Sequence, residues 1–360
     1  MYASGPCRPC VGRASVWQLQ QANTRRAGPQ PASRLVVTHK FFPILVLVLS
    51  ETVLLLATSW DHRVRVPSCG LSTSTKTQGI FKSTSQDVGN DKASRRWSPG
   101  LKTTEPIYTS KNVSLAYQLN WGLTVFWRQQ PIPDSEWLTQ LQSSTEADGV
   151  RILKHRITTG DSSQFFISTK PHVSPAAMIR SVKGRLQYIL GSQQPKAFQR
   201  NYAVRSIGAA ARTVVEGYVA KQLDRHPMAD PRVQDLLLQY QKTYPGVDLS
   251  QPVCSAHGQH WHNLHLVLVN DHRWMEIRPR VLDKLSQMIE RVGAKYGHRL
   301  SRVGLLADHF HLTLGCSVDR SPEEVALGFL NNCAYAVGMT PIFQFGYYAG
   351  TIGEYDCGAV

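Results

Sequence analysis

From residue 107 to the C-terminus, apolar positions recur with two different periods. Residues 115–128 (LAYQLNWGLTVFWR), 150–157, 164–169 and 202–207 are predicted as strands. Apolar and polar side chains alternate along most of them, as in half-buried strands, where successive side chains face opposite sides. Residues 131–141 and 209–223 read as helices. Another helix is predicted to open at Ser174-Pro175, where a hydroxyl can cap free N–H groups and proline suits the first turn. The later part of the chain repeats this plan, with strands at 264–269, 302–306, 309–314 and 345–352 and helices at 279–296 and 322–337. A short helix, 231–240, is predicted between the two parts.

Two landmarks make the repetition specific. The interval from Ser174-Pro175 to Tyr188 equals that from Ser321-Pro322 to Tyr335, and Tyr202 to Gly208 matches Tyr347 to Gly353. Such spacing marks an internal duplication. The expected fold class is α+β, two tandem antiparallel-sheet sandwiches with helices on one face of each. Copy one is assigned to 105–225, a connection to 226–255 and copy two to 256–360.

Candidate chemistry is divided between the copies. In ADHFHLTLGCSV (307–318), His309, His311 and Thr313 share one strand face while Phe310, Leu312 and Leu314 take the other. Two imidazoles on one face make a candidate metal or phosphate site; the plain alternative is a solvated polar pair. Tyr218 and Gln222, four residues apart, share a helix face. Aligned by the glycine landmark, copy one has Gln164-Phe165-Phe166 where copy two has His309-Phe310-His311, and the counterpart of Tyr218 falls past Val360. Tyr202, Tyr347, Tyr348 and Tyr355 compete with Tyr218 as nucleophiles, but the first three sit in aromatic strands and Tyr355 follows Gly353 too closely. The irregular spacing of His257, His260, His262 and His265 points to surface or packing positions.

Composition adjusts the picture in three ways. A net charge of +15 suits a polyanionic partner, yet residues 1–100 hold 13 Lys and Arg against 4 Asp and Glu, so most of the surplus lies outside the duplicated region. Residues 1–104 form a basic low-complexity extension, expected to be largely disordered, around an apolar block at 41–60. Glu51 in that block would be costly in a bilayer, so membrane insertion is not expected. Seven cysteines without regular spacing, including Cys7-x-x-Cys10, make neither a disulfide framework nor a zinc motif and fit a reducing cytoplasm.

Together these marks resemble the single-tyrosine transposases of the HUH superfamily, including the REP-associated tyrosine transposases. The resemblance rests on the His-Phe-His strand, helices opening at Ser-Pro, Lys183-Gly184, aromatic strands ending in Gly, and Tyr218 with Gln222. It covers about residues 105–360, divided between the copies. It implies a ferredoxin-like fold and a divalent metal, Mg²⁺ or Mn²⁺, held by His309, His311 and Gln222. Tyr218 would then cut single-stranded or hairpin DNA, leaving a 5′ phosphotyrosine and a free 3′ hydroxyl. Lys183, Arg185, Arg200 and Arg205 are candidates for phosphate contacts, and His262 or His265 for a place beside the DNA path. The family works as dimers, which implies an intramolecular pseudo-dimer here, with further self-association open. The reading is a DNA nicking and rejoining enzyme with one composite site; the alternative is a catalytically inactive, hairpin-binding descendant.

Overall fold

The alternating stretch 115–128 does not stay in one sheet. In the computed structural model, which describes residues 105–158 and 161–355, it divides at buried Leu119 into β1 (Ser114–Gln118) and β2 (Asn120–Trp127). The apolar block at 41–60, the Cys7 and Cys10 pair and the rest of the extension lie outside the described residues. Copy one continues with β3 (Val150–Thr158), β4 (Ser162–Thr169) and β5 (Phe198–Ile207). The connection and copy two supply β6 (Gln241–Thr243), β7 (Val253–Cys254), β8 (Gly258–Trp261), β9 (Asn263–Val269), β10 (Arg299–Leu305), β11 (His309–Gly315) and β12 (Gly346–Thr351). The helices are α1 (Leu138–Glu146), α2 (Pro175–Ile189), α3 (Arg212–Ala220), α4 (Gln222–Arg225), α5 (Pro231–Leu238), α6 (Pro279–Tyr296) and α7 (Pro322–Ala336).

The fold is α+β, with two six-stranded sheets ordered β1-β12-β9-β11-β10-β6 and β3-β4-β2-β5-β8-β7. Each sheet borrows from the other copy. β1 of copy one runs parallel to β12, with Leu115 opposite Tyr347, and β8 of copy two runs parallel to β5, with Gly258 opposite Tyr202. The expected purely antiparallel sheets are therefore mixed. The strand that opens each copy bends, at Leu119 or at buried His262, and places its two halves in different sheets.

Two hydroxyls stitch the crossover. Thr351 Oγ1 accepts from Asn120 N at 2.9 Å and donates to Ile207 O at 2.7 Å. In the mirrored position Ser206 Oγ accepts from Asn263 N at 3.3 Å and donates to Ile352 O at 2.6 Å. The backbones here approach too closely for side chains: a Cβ at Gly208 would lie 3.0 Å from Thr351 O, and one at Gly353 would collide with the Ser206 carbonyl. The glycine landmarks in the sequence thus mark the pseudo-twofold junction.

Each sheet has its own core. Phe310, Leu312 and Leu314 pack with Leu285 and Ile289 of α6 and Phe329 of α7. Trp121, Leu123 and Val125 pack with Leu141 of α1 and Met178 and Val182 of α2. Fully burying each such side chain contributes about 1.5–3 kcal/mol. The buried indoles are satisfied, Trp121 Nε1 donating to Thr169 Oγ1 and Trp127 Nε1 to Ser163 Oγ, both at 2.9 Å. Helix starts follow the sequence. Ser174 Oγ accepts from Ala177 N at 3.2 Å, and Ser321 forms a reciprocal cap with Glu324.

Thr351→Val keeps the shape of the side chain but removes both crossover bonds, so it should cost about 1–3 kcal/mol. Far-ultraviolet circular dichroism and tryptophan fluorescence should lose structure in one shared transition, because the sheets hold each other's strands. Two separated transitions, or no loss of stability, would refute this coupling. Acid should also weaken the fold. Burial pushes His262 down to about 3 and His298 down to about 4, whereas an unfolded chain titrates its histidines near about 6.5. The unfolded state binds more protons in between, so stability is full near neutral pH and declines as pH falls from about 6.5 to about 3. Denaturant titrations at several pH values should give that slope, and a shallower one in His262→Gln/His298→Gln; equal slopes would contradict the assignment.

Candidate active site

The sequence predicts helices on one face of each sheet, but the second face of the copy-two sheet is also covered. β11 turns Phe310 into the core, so His309 and His311 lie on the reverse side, and α3 of copy one packs there against β10 and β11. The anchoring explains why a helix from the first half settles on this sheet. Val215 and Val219 are buried, and between them buried Glu216 pairs with Arg212 Nη1 at 2.5 Å and accepts from the Ser301 hydroxyl. Ser301 sits at a bulge in β10, between Leu300 and Arg302.

This docking sets the Tyr218 ring 5.7 Å from the His311 ring, edge to face. The Arg225 guanidinium lies 5.2 Å from the centre of the Tyr218 ring. One expectation is corrected: 209–223 is not a continuous helix, because Lys221 (φ −111°, ψ 22°) separates α3 from α4. Past that break Gln222 is fully buried against Gly304, where a Cβ would come within 2.8 Å of Gln222 Oε1. Gly304 stands opposite His311 in the β10–β11 ladder, so the amide lies beside the histidine pair. The amide interacts with the Tyr218 phenol, but neither of its polar atoms has a hydrogen bond of ordinary geometry.

Both histidines are held through Nδ1. His309 Nδ1 contacts Asp308 Oδ1 at 2.6 Å, and Asp308 Oδ2 accepts from Arg273 Nη1 at 2.9 Å. His311 Nδ1 contacts His265 Nε2 at 2.8 Å, their rings stacked at 5.1 Å and 20°. Neither Nε2 atom takes part in these two contacts. Exposed His226 brings its ring to 5.9 Å from that of His309. Burial holds His311 well below the usual imidazole range, reinforced by His309 and His265, and pushes His265 down to about 4. Both are neutral at pH 7, as metal ligands and acceptors must be. Burial raises the Tyr218 phenol above its usual range, opposed by the neighbouring Gln222 amide and Arg225. Burial also acts to raise Asp308, but His309 and Arg273 outweigh it and hold the carboxyl low.

Among the described residues, no group of three His, Cys, Asp or Glu side chains converges on a metal position. A cation here would use the two Nε2 atoms and the Gln222 oxygen. The residues fit that role, since a fully buried amide with no hydrogen bond of ordinary geometry is costly unless something else completes it. A mixed imidazole and amide set suits Mn²⁺ better than Mg²⁺.

The sequence missed His226, Arg225, Asp308 and the contact of His265. Asp308 is findable as the residue beside His309; the irregular spacing around His265 points to a packing position or a place beside the DNA path, whereas its strand pairs directly with β11. The copy-to-copy alignment also shifts by two residues. Asn120 and Asn263 occupy mirrored positions and pair with Ser168 and Gly315, so Ser162 and Gln164, not Gln164 and Phe166, stand where copy two has His309 and His311. Of the basic candidates, Lys183 Nζ donates to Gln199 O at 2.8 Å, Arg185 pairs with Asp148 at 2.6 Å and Arg205 stacks 3.7 Å over Trp261. Arg200 is exposed. Tyr347 is buried; Tyr348, pushed up to about 12 by burial, has its ring 5.9 Å from His265. Tyr202 lies against Gly258, and the Tyr355 carbonyl accepts from Gly208 N at 3.2 Å.

No protein-family model and no curated protein matches the chain. Likeness to solved structures is low. A protein provisionally described as a transposase, from Deinococcus radiodurans, is 15% identical over 30% of this chain and 92% of that one, with a TM-score of 0.24. A protein provisionally described as a glycine cleavage system transcriptional repressor is 11% identical over 65% of this chain and 98% of that one, with a TM-score of 0.19. An unknown protein from Galdieria sulphuraria is 8% identical over 65% and 98%, with a TM-score of 0.17. None of these likenesses assigns a family or an activity.

Glu216→Ala would leave Arg212 and Ser301 without their shared carboxylate. It should destabilise the docked α3 by about 2–3 kcal/mol, below the range for a fully buried pair because Arg212 keeps some contact with water. Hydrogen exchange should accelerate in α3 and α4 while the β2 and β9 amides stay protected. Unchanged exchange in α3 would show that Glu216 does not hold the helix.

Proposed function

We propose that this chain is a transposase-like DNA nicking and rejoining enzyme, acting on single-stranded or hairpin DNA through one composite site. The observation that carries this reading is the meeting of Tyr218 from copy one with His311 from copy two, ring centroids 5.7 Å apart. It is supported by the resemblance to single-tyrosine HUH transposases, in which a Tyr helix meets a histidine pair.

Tyr218 is the nucleophile. Its oxygen bonds to phosphorus, the P–O3′ bond breaks, the phenolic proton leaves and the departing 3′ oxygen ends as a hydroxyl. The DNA is then held by a 5′ phosphotyrosine. Attack by a 3′ hydroxyl on that linkage reverses the step and rejoins the strand. Burial makes the phenol a reluctant nucleophile, so opposing charge is needed. Arg225, 5.2 Å from the ring centre, supplies part of it. His309, His311 and Gln222 would hold Mn²⁺ or Mg²⁺, which when bound polarises the phosphate and neutralises growing charge. Asp308 and Arg273 hold His309 and tie it to the loop bearing Trp274, which is 67% exposed and gives an unpaired base a stacking surface beside the site.

The alternative, a hairpin-binding descendant without catalysis, draws on copy one, where Ser162 and Gln164 replace the histidine pair. Paired cleavages would then lack a second centre of this kind.

The test is covalent capture on end-labelled single-stranded DNA carrying a hairpin, with and without Mn²⁺. Wild-type protein should form a metal-dependent adduct at Tyr218, and Tyr218→Phe should abolish it by deleting one oxygen. His309→Ala/His311→Ala should slow adduct formation more than about 100-fold, equivalent to about 2.7 kcal/mol in the barrier, while DNA affinity largely survives. An adduct mapped to another tyrosine would overturn the assignment; DNA binding without an adduct would favour the descendant.

A further inference from the structure

We infer that His265 is a positioning residue for the histidine pair: by accepting a hydrogen bond from His311 Nδ1–H, it locks His311 in the tautomer whose Nε2 lone pair faces no proton and can ligate a cation. The inference rests on the metal-assisted reading of the site and goes beyond it, since the resemblance assigns His265 no contact with the pair.

Three observations support it. His265 Nε2 lies 2.8 Å from His311 Nδ1, and the stacked rings, 20° from parallel, leave little freedom to either. One nitrogen of that contact must carry the proton and the other must accept it. His265 pairs with Thr313 and His311 with Val267 in the β9–β11 ladder, so both imidazoles stand on one face of the sheet and their contact is built into the strand pairing. If His311 donates, its Nε2 is bare; if His265 donates, His311 carries its proton on Nε2 and is useless as a ligand.

The duplication supplies the third observation, because copy one is an internal comparison. Gly350 faces His265 and Arg205 faces Gly122, both one step from the mirrored crossover residues Thr351 and Ser206, so Gly122 occupies the place of His265. Copy one therefore has Gly122, Ser162 and Gln164 where copy two has His265, His309 and His311. The crossover asparagines Asn120 and Asn263 are present in both. His265 is absent together with the pair it serves, as a partner with no separate structural task would be. A histidine behind a ligating histidine is also the arrangement in which outer groups set ring orientation and ligand basicity.

The experiment uses the full chain. In metal-free protein labelled at histidine nitrogens, long-range proton–nitrogen NMR should find His311 protonated at Nδ1 with Nε2 bare. His265→Leu should lose that bias, and His265→Gln, whose amide oxygen can accept the same bond, should keep it. Mn²⁺ titration followed by electron paramagnetic resonance should then give a Kd raised about 10- to 100-fold in His265→Leu and close to wild type in His265→Gln. Near-ultraviolet circular dichroism checks that each variant is folded; if the Leu variant is not, the wild-type tautomer and the Gln variant decide. His311 protonated at Nε2 in the wild type, or unchanged Mn²⁺ affinity in folded His265→Leu, overturns this inference alone. A wild type that takes up no Mn²⁺ overturns both it and the metal-assisted reading.

Discussion

The paired hydroxyl bridges at the crossover, Thr351 between Asn120 and Ile207 and Ser206 between Asn263 and Ile352, are the contacts on which the remaining geometry depends. They occur where each copy's opening strand leaves one sheet for the other. There the main chains come so close that Gly208 and Gly353 cannot carry side chains. Once those strands are exchanged, neither copy owns a complete sheet. The chain after β5 must leave the junction beside the other copy's sheet, and the α3 helix that follows has a short path to the reverse side of β11. The bridge Ala211–Gly353 and the bond from Arg212 N to Gly353 O at 2.6 Å tie the start of α3 to this junction.

Local chemistry then refines what topology places roughly. Glu216 and the bulge at Ser301 fix the register of α3, and the break at Lys221 drops Gln222 onto Gly304. Asp308 and His265 each take one Nδ1 of the histidine pair, leaving two Nε2 atoms near a buried amide that has no hydrogen bond of ordinary geometry. Copy one carries the same strand framework without this inventory. Opposite Gln164 it has Arg156, which donates to the Gln164 oxygen at 2.8 Å, where copy two has Gly304 opposite His311, with Gln222 packed over it. The two halves share a common scaffold and differ in the side chains of the candidate site.

Much of this was legible in the chain, for reasons that also mark the limits. Strand alternation and the Ser-Pro caps report on local geometry, so α2 begins at Pro175 and α7 at Pro322 as read, and the Tyr218, His309 and His311 candidates came from local motifs. The crossover was not legible, because the apolar alternation of 115–128 continues through Leu119 while the strand changes sheets. The two-residue error in aligning the copies has a similar origin. The stretch between Ser174 and Tyr202 is longer than that between Ser321 and Tyr347, so counting from the glycines misplaces β4 while counting from the caps does not. His265 and Gly304 gain meaning only through strand pairing, which depends on contacts far apart in sequence.

The claim that one site is assembled from both halves is tested most directly by diffraction from crystals soaked in Mn²⁺, using the anomalous signal to locate the metal. The account predicts a peak within coordination distance of His309 Nε2, His311 Nε2 and Gln222 Oε1, with the Tyr218 ring of copy one beside it. A peak bound elsewhere on the duplicated region, or an α3 helix lifted away from β10 and β11, would contradict it.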